Sequence, residues 1–276
     1  MWIGSRHDAG ARDGPEGRGI KAFLLAAGKG RRLRPITDVT PKCMLVIDGR
    51  PLLGIWLDAF ARAGVTEVMV NLHHLPDVVR RHIAAHRERP MVRMVYEPEL
   101  LVSAGTLLAN RHWVADEECF LVCNSDNLTN FDLRSLINTR TGHAGIVTLA
   151  VFHSPDPSSG GVAETDETGC VIGFTEKLSR PVSDLTNAGM YVFYPEVLNK
   201  INTGPPCDIG YDLLPRLVGC AWTVLVDGYF RGIGTVETYR LALQEWPVRG
   251  ADQWLQGLSW RRTARDPSLC PGLRVA

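Results

Sequence analysis

The sequence has no excess of charge of either sign. Its 276 residues carry 30 lysines and arginines against 30 aspartates and glutamates, a formal net charge of zero. A whole-molecule attraction to nucleic acid or to an anionic membrane is therefore not expected, although a local basic cluster can still bind a small polyanion. No apolar run reaches the roughly 18 residues of a membrane-spanning helix. The amino-terminal stretch lacks the apolar core of a signal peptide. Seven cysteines are present, with no Cys-x-x-Cys pair among them. An odd count argues against a disulfide framework, and the spacing argues against a structural zinc site. Cys43, Cys119, Cys123, Cys170, Cys207, Cys220 and Cys270 read as buried free thiols in a reducing cytoplasm. The pair His73-His74 has no third ligand at a suitable spacing, and neighbouring side chains on a strand diverge. Its metal reading is weak.

What is present suits a globular α/β chain. A hydrophobic fraction of 45% and a charged fraction of 22% allow a substantial core. Residues 1–19 hold five glycines and few apolar residues, which suggests a mobile extension. Ala22 to Ala27 reads as a buried strand of a parallel sheet. Strand and helix patterns then alternate: a helix from Leu52 to Ala63 stopped by Gly64, a strand from Val65 to Val70, and a helix from Asp77 to His86. A strand from Met91 to Tyr96, a helix from Ser103 to Trp113 and a strand from Cys119 to Cys123 follow, before Asp132 opens another helix. This order predicts a doubly wound, mostly parallel sheet. After Ile146 short strands dominate, at Ile146–Val151, Gly161–Thr165, Val171–Thr175 and Ala188–Phe193, with a hairpin at Asp166 to Gly169. Helices are expected at Glu196–Ile201, Ile209–Leu217 and Val236–Glu245, and a strand at Thr223–Val226. The expected organisation is an extension over 1–19, one domain over 20–245 and a tail over 246–276 of open role, with Trp254 and Trp260 in it.

The first strand runs into Gly28-Lys29-Gly30-Arg31-Arg32-Leu33-Arg34-Pro35. Glycine lets backbone approach a ligand closely. The cations that follow, with Lys42 beyond Pro41, suit a triphosphate. A dinucleotide fingerprint needs a third glycine where Leu33 stands, and a Walker loop needs Gly-Lys-Ser/Thr where this chain has Gly-Lys-Gly. An exposed basic loop without a ligand is the plain alternative. Asp126 follows the strand ending at Cys123. A carboxylate at the carboxyl end of a parallel strand lies where such sheets bind ligands. Magnesium prefers carboxylate and phosphate oxygens, so Asp126 is the candidate metal ligand, with a turn aspartate as the alternative.

The run from Leu24 to Thr37 followed by Pro41-Lys42-Cys43-Met44-Leu45 resembles the signature of nucleoside-diphosphate-sugar pyrophosphorylases. Arg31 stands where that family usually has threonine. Further landmarks come in the family's order. Glu97-Pro98-Glu99-Leu100-Leu101-Val102-Ser103-Ala104-Gly105 resembles its Glu-Pro-x-Leu-Leu-Gly-Thr-Ala-Gly segment. Phe174-Thr175-Glu176-Lys177 resembles Phe-x-Glu-Lys-Pro, and Asn187-Ala188-Gly189-Met190-Tyr191 resembles Asn-Ala-Gly-Ile-Tyr. The resemblance covers about residues 21 to 243, and it implies a Rossmann-like, GT-A-like nucleotidyltransferase fold with a smaller mixed sugar-binding portion. It implies that Arg32 and Lys42 contact the triphosphate and Lys177 the sugar phosphate. Ala26, Ala27, Gly28, Gly30, Glu97, Ser103 and Gly105 fall on its nucleotide side. Asn124, Gly161, Glu176 and Asn187 fall on its sugar side, and Asp126 on its magnesium site.

One departure concerns the metal. The family commonly carries Asp-Ile-Gly-Thr-Pro near the last helix, and its aspartate is a second magnesium ligand. Here Gly232-Ile233-Gly234-Thr235-Val236 occupies that place. Either Asp126, water and the nucleotide suffice, or Asp227 reaches in, or the chain binds nucleotide with little turnover. The implied reaction joins a nucleoside triphosphate to a sugar-1-phosphate and releases pyrophosphate, with Mg2+ as cofactor. The details Pro-Lys-Cys, Asn-Leu-His-His and Asn-Leu-Thr-Asn look most like guanylyltransferases acting on mannose- or heptose-1-phosphate, hence GTP. Thymidylyl transfer to glucose-1-phosphate and a nucleotide-binding regulatory role are the alternatives, and a dehydrogenase is a poorer third. A cytoplasmic protein, self-associating or not, with no nucleic-acid or membrane partner completes the expectation.

Overall fold

The computed structural model describes residues 19–85, 90–201 and 204–249. The expected extension up to residue 18, the tail from residue 250 with Trp254 and Trp260, and His86 and Cys270 lie outside the described residues.

β1 (Ile20–Leu25) is the centre of a nine-stranded sheet. Its alternate side chains enter opposite faces: Ala22 and Leu24 join one apolar cluster and Phe23 the other. Burial on both faces is why this strand reads as a continuous apolar run. A small ribbon follows, β2 (Val46–Ile47) with β3 (Arg50–Pro51). α1 (Leu52–Arg62) buries Leu52, Leu53, Ile55, Trp56 and Phe60 on one side. Gly64, at φ +79°, ends it as expected of a left-handed stop.

β4 (Val65–Leu72), α2 (Pro76–Ala85), β5 (Met91–Tyr96), α3 (Val102–Ala109) and β6 (Phe120–Asn124) complete the first half. β1 pairs in parallel with β4 on one side and β6 on the other, and β4 pairs in parallel with β5. The order β5-β4-β1-β6 makes the β1/β6 junction a topological switch point, where ligands of open α/β sheets bind beyond the carboxyl ends. β7 (Asn127–Thr129) leaves the sheet, and α4 (Leu133–Thr139) is capped by Asp132, which accepts from the Arg134 amide.

The second half is mostly antiparallel. It comprises β8 (Val147–His153), β9 (Gly161–Thr165), β10 (Val171–Glu176), β11 (Leu185–Phe193) and β12 (Ala221–Leu225). β11 pairs antiparallel with β6, β8 and β9, β10 pairs antiparallel with β9, and β12 pairs in parallel with β8. The β9–β10 turn is the expected hairpin. Asp166 accepts from the Thr168 and Cys170 amides, and Gly169 takes φ +82°. β13 (Phe230–Gly232) pairs antiparallel with β7, and α5 (Val236–Arg249) follows, running past the expected end at Glu245. A third apolar cluster, with Leu33, Leu45, Ile47, Tyr229, Ile233 and Trp246, seats α5 behind the glycine loop.

The largest departure is the helix expected over Ile209–Leu217. It is a π turn at Ile209–Leu213 and a 3₁₀ turn at Leu214–Leu217. Asp208 caps the first by accepting from the Gly210 and Tyr211 amides, and Pro215 supplies no N–H to continue an α-helix. The helix expected over Ser103–Trp113 ends at Ala109, with a 3₁₀ turn at Arg111–Trp113, and Pro195–Lys200 is a 3₁₀ stretch. Cys43, Cys119, Cys123 and Cys170 are buried free thiols, Cys207 is buried, and Cys220 is exposed. No helix among the described residues is long and apolar enough to cross a membrane.

Candidate active site at the sheet switch point

The glycine loop leaves β1 at the switch point. Ala26 and Ala27 are buried beneath it. Gly28 is exposed, and a Cβ there would meet nothing within 4 Å, so its open face is free for a ligand. Gly30 is glycine for another reason. Its φ is +60°, and a Cβ would stand 2.8 Å from Thr37 Cγ2. Thr37 Oγ1 donates to the Gly30 carbonyl at 2.8 Å, and the His74 ring meets the Thr37 carbonyl at 2.6 Å. The loop is therefore pinned from behind. Arg34 pairs with Asp38 at 3.0 Å. Lys29, Arg31 and Arg32 are exposed and meet no acceptor among the described residues. The Arg32 guanidinium lies against Gly234, with Nη2 3.2 Å from where a Cβ would be.

The next wall is a buried polar network. Asn71, at the end of β4, accepts from the Ala26 amide at 2.6 Å and donates to Glu97 Oε1 at 2.9 Å and Thr106 Oγ1 at 3.0 Å. Thr106 Oγ1 donates to Glu97 Oε1 at 2.5 Å, and the Leu101 amide donates to Glu97 Oε2 at 3.2 Å. Glu97 is 2% exposed with both oxygens engaged, so it holds the wall rather than offering a carboxylate to the cleft. The His73 ring meets the Glu97 carbonyl at 2.8 Å. Both histidines thus strap loops, each through one ring nitrogen.

Asp126 lies just past β6. Its Oδ2 receives Lys42 Nζ at 2.6 Å, and its Oδ1 takes part in no hydrogen bond among the described residues. The Ile233 amide donates to the Asp126 carbonyl at 2.8 Å, which places Gly232 opposite Asn127 in the β7–β13 ribbon. Gly232 is exposed, and a Cβ there would meet only Asn127 Oδ1, at 3.7 Å. The ribbon carries Asp227 the other way. Phe230 to Ile233 alone spans roughly 10 Å of extended chain, and Asp227 lies beyond Phe230. Asp227 does not replace the missing carboxylate. Among the described residues no group of three or more His, Cys, Asp or Glu could hold a metal.

The facing wall comes from the antiparallel half. The pairing of β11 with β8 is interrupted between Asn187 and Tyr191, a bulge in which Ala188 stays in the apolar core. Asn187 Nδ2 donates to the Tyr191 hydroxyl at 2.7 Å, and the Gly189 amide donates to Asn187 Oδ1 at 2.9 Å. Gly189 takes φ +65°, and any side chain there would collide with the Asn124 amide. Glu176 ends β10 wedged between Gly161 and Gly210, where side chains would strike its Oε2. No described N–H or O–H donates to the Glu176 carboxylate. Burial, then the nearby Asp208 charge, push its pKa above the ordinary 4.5, and Lys177 partly opposes them. Lys177 takes a left-handed φ of 53°, its amide donates to the Gly160 carbonyl, and its ammonium lies 5.4 Å from the Tyr211 ring centroid.

Contacts close these walls into a ring. From Ala26 it runs through Asn71, Glu97, Leu101 and Ser103 to Asp208, Gly210, Glu176 and Gly161. β9–β11 pairing at Val162 and Thr186 leads on to Asn187, Gly189, Asn124 and Asp126. Gly105 backs the ring, its amide donating to the Cys207 carbonyl. The residues expected to form a site are thus brought together at one end of the sheet. Sequence reasoning missed Asn71, Thr106, Asp208, Gly210 and Tyr211. The usable signal for Asn71 was a polar side chain breaking the apolar run Val68-Met69-Val70 near the carboxyl end of β4.

Residues 21–245 match the family model described as nucleotidyl transferase. The chain is 34% identical over 223 residues to a mannose-1-phosphate guanylyltransferase catalytic subunit beta of Drosophila melanogaster, covering 79% of this chain and 60% of that one. It is 31% identical over 244 residues to a UTP–glucose-1-phosphate uridylyltransferase of Synechocystis, covering 82% and 63%. It is 30% identical over 244 residues to a mannose-1-phosphate guanylyltransferase of Mycobacterium tuberculosis, covering 87% and 66%. The chain spans about 60% of the length of the first of these curated relatives. Its fold matches a crystal structure of a putative glucose-1-phosphate thymidylyltransferase from Bacillus anthracis, with a TM-score of 0.74 at 22% identity over 82% of this chain and 94% of that one. HddC from Yersinia pseudotuberculosis complexed with GMP-PN matches with a TM-score of 0.70 at 21% identity over 82% and 99%. With the matched segment spanning the whole ring of site residues, the chain belongs to the nucleotidyl transferase family.

Proposed function

We propose that the chain is a sugar-1-phosphate nucleotidyltransferase that uses GTP and a manno-configured or heptose-type sugar-1-phosphate. The observation that carries the reading is the pairing of two unlike walls across the switch point. One offers an open glycine turn with three unpaired cations. The other offers a carboxylate with free acceptor capacity beside a lysine. A triphosphate fits the first and a hydroxylated phosphate ester the second. Curated relatives named for mannose-1-phosphate and GMP-PN in a neighbour's structure support the choice of base and sugar.

In the reaction a phosphate oxygen of the sugar-1-phosphate attacks the α-phosphorus of the triphosphate. The bond from that phosphorus to the bridging oxygen breaks, and pyrophosphate leaves with the electron pair. The attacking oxygen is already ionised at neutral pH, so no strong general base is needed. Catalysis rests on positioning and charge neutralisation. Arg32 and Lys42 draw on the triphosphate, Lys177 orients the sugar phosphate, and Glu176 accepts from sugar hydroxyls. Asp126 has one oxygen free and Gly232 supplies none, which fits a magnesium ion held by one carboxylate with nucleotide phosphates and water completing its shell. Bound there, magnesium would supply charge neutralisation on the phosphates.

The test is pyrophosphate release from GTP, Mg2+ and a panel of sugar-1-phosphates. Release with a manno-type sugar supports the reading. Release only with dTTP and glucose-1-phosphate moves it to the thymidylyl alternative. Nucleotide binding without release from any triphosphate or sugar overturns the enzyme reading in favour of a regulatory homologue, which the absent carboxylate at Gly232 would explain.

A further inference from the structure

Asp208 touches both walls. Its Oδ2 receives Ser103 Oγ at 2.8 Å, and Ser103 Oγ in turn accepts from the Ile209 amide at 2.7 Å. Two backbone bonds reinforce this junction, from the Cys207 amide to the Leu101 carbonyl and from the Gly105 amide to the Cys207 carbonyl. The start of α3, on the nucleotide side, is therefore stitched to the segment 207–209. The other oxygen, Oδ1, receives the Gly210 and Tyr211 amides at 2.8 and 3.2 Å. That fixes the turn whose Gly210 packs on Glu176 and whose Tyr211 ring underlies Lys177. The Asp208 amide donates to Asp212 Oδ2 at 2.6 Å, which tightens the same turn.

We propose that Asp208 is a positioning residue that couples the nucleotide and sugar halves of the site, holding the start of α3 with one oxygen and the Glu176–Lys177 wall with the other. The inference rests on the sugar-phosphate reading of Glu176 given above. Asp208 acts by geometry and by charge. The groups that face Glu176 are Asp208 from the turn, Lys177 from its own strand end and Tyr191 from β11; Gly161 brings no charge from β9. Of the charged ones, Asp208 raises the Glu176 pKa and Lys177 lowers it. A carboxylate of raised basicity is a stronger acceptor for a sugar hydroxyl. Asp208 thus tunes the sugar contact without touching the sugar.

The decisive variant is Asp208→Asn, which keeps an acceptor for the Gly210 and Tyr211 amides and removes the charge. Two readouts are needed. The first is a carbon NMR titration of the Glu176 carboxyl in the ligand-free full chain, assigned by its loss in Glu176→Gln. The second is the pH profile of kcat/KM for mannose-1-phosphate. Both midpoints are expected to fall together in Asp208→Asn. Ser103→Ala, which cuts the side-chain link to α3 and leaves the two backbone bonds, is expected to raise KM for GTP about threefold to tenfold and to leave the Glu176 titration in place. An unmoved Glu176 titration in Asp208→Asn overturns the proposal, as does a Ser103→Ala variant with unchanged KM for GTP. Absence of turnover by the parent chain defeats the reading of the site instead, and the ligand-free titration still decides whether Asp208 acts on Glu176.

Discussion

On the parallel side of the sheet, β5, β4, β1 and β6 all end at one edge, and the functional groups come from loops beyond those ends. Gly28, Lys42 and Asp126 are of this kind, and buried side chains such as Asn71 and Glu97 brace them from beneath. On the antiparallel side the groups sit within or at the ends of the strands themselves. Asn187 lies in a bulge of β11, Glu176 closes β10 and Gly161 opens β9. The first arrangement separates loop from scaffold and leaves exposed cations free to follow a polyphosphate. The second fixes its contacts to a rigid frame, which suits the sugar side of the proposed reaction. One wall is built for charge and the other for shape.

Substitutions on the two walls should therefore fail in different ways. The largest effect is expected from Asp126→Asn. It removes the carboxylate proposed to hold the metal and leaves Lys42 without its anionic partner. Pyrophosphate release should fall about 100- to 1,000-fold, with the melting temperature almost unchanged, because a partly exposed ion pair contributes little to stability. A steady-state assay beside a thermal melt checks this. A large loss of stability would show that the pair is scaffold rather than chemistry.

Glu176→Gln probes the opposite wall. KM for the sugar phosphate should rise about 10- to 100-fold, the range for losing hydrogen bonds to a charged group, while KM for the triphosphate stays put. The pH dependence has a definite sign. The Glu176 pKa is raised in the folded chain, so its ionised form is disfavoured by folding. Sugar-phosphate use should fall as pH drops through that raised pKa, and the glutamine variant should lose this limb. Folding stability runs oppositely: the parent gains stability as pH falls through the same range, and Glu176→Gln should melt higher than the parent at neutral pH. A variant that melts lower there contradicts the assignment of Glu176 as a carboxylate held unsatisfied for a ligand.

The same contrast explains what could be read from the chain alone. β1, the glycine turn and Asp126 announce themselves because each depends on neighbours in sequence: an apolar run, two glycines and an aspartate after a strand. Asn71, Thr106 and Asp208 do not, because the contacts that tie them into the site reach far along the chain: Asn71 meets Glu97 and Thr106 at 26 and 35 residues' distance, and Asp208 meets Ser103 at 105. The turn at Ile209–Leu213 shows a second limit. Ile209, Leu213, Leu214 and Leu217 are buried at helical spacing, yet the cap from Asp208 and the proline at 215 convert that spacing into π and 3₁₀ turns. A capped, proline-broken segment and a true helix share the same apolar pattern.

Gly232→Asp tests whether the charge wall is one carboxylate short. The position is exposed and has no positive φ, and a Cβ meets only an ordinary contact with Asn127, so aspartate fits. It would stand one residue from the pairing of Ile233 with Asp126. The Mg2+ concentration for half-maximal turnover should fall about threefold to tenfold, since affinity for hard cations follows the number of charged ligands. A magnesium titration at fixed GTP reads this out. An unchanged requirement would mean that the nucleotide phosphates already satisfy the ion.

The smallest effect concerns backbone strain, which each wall carries at one place. Lys177 is left-handed at φ 53°, and Val102 at φ 65° opens α3. Lys177 is the residue proposed to orient the sugar phosphate. Val102 has no such role, and a β-branched residue there is the costlier of the two. Its strain amounts to about 1–2 kcal/mol, and its carbonyl lies 2.9 Å from the Thr106 hydroxyl, whose one hydrogen is shared with Glu97 Oε1. Glycine removes that strain but adds about 0.5–1 kcal/mol of chain entropy to the unfolded state. Val102→Gly should therefore raise the melting temperature by about 1–3 °C, with both KM values within about twofold of the parent because the hydrogen bonds that place α3 are untouched. A lowered melting temperature would mean that the half-buried valine side chain contributes more by packing than its backbone loses by strain.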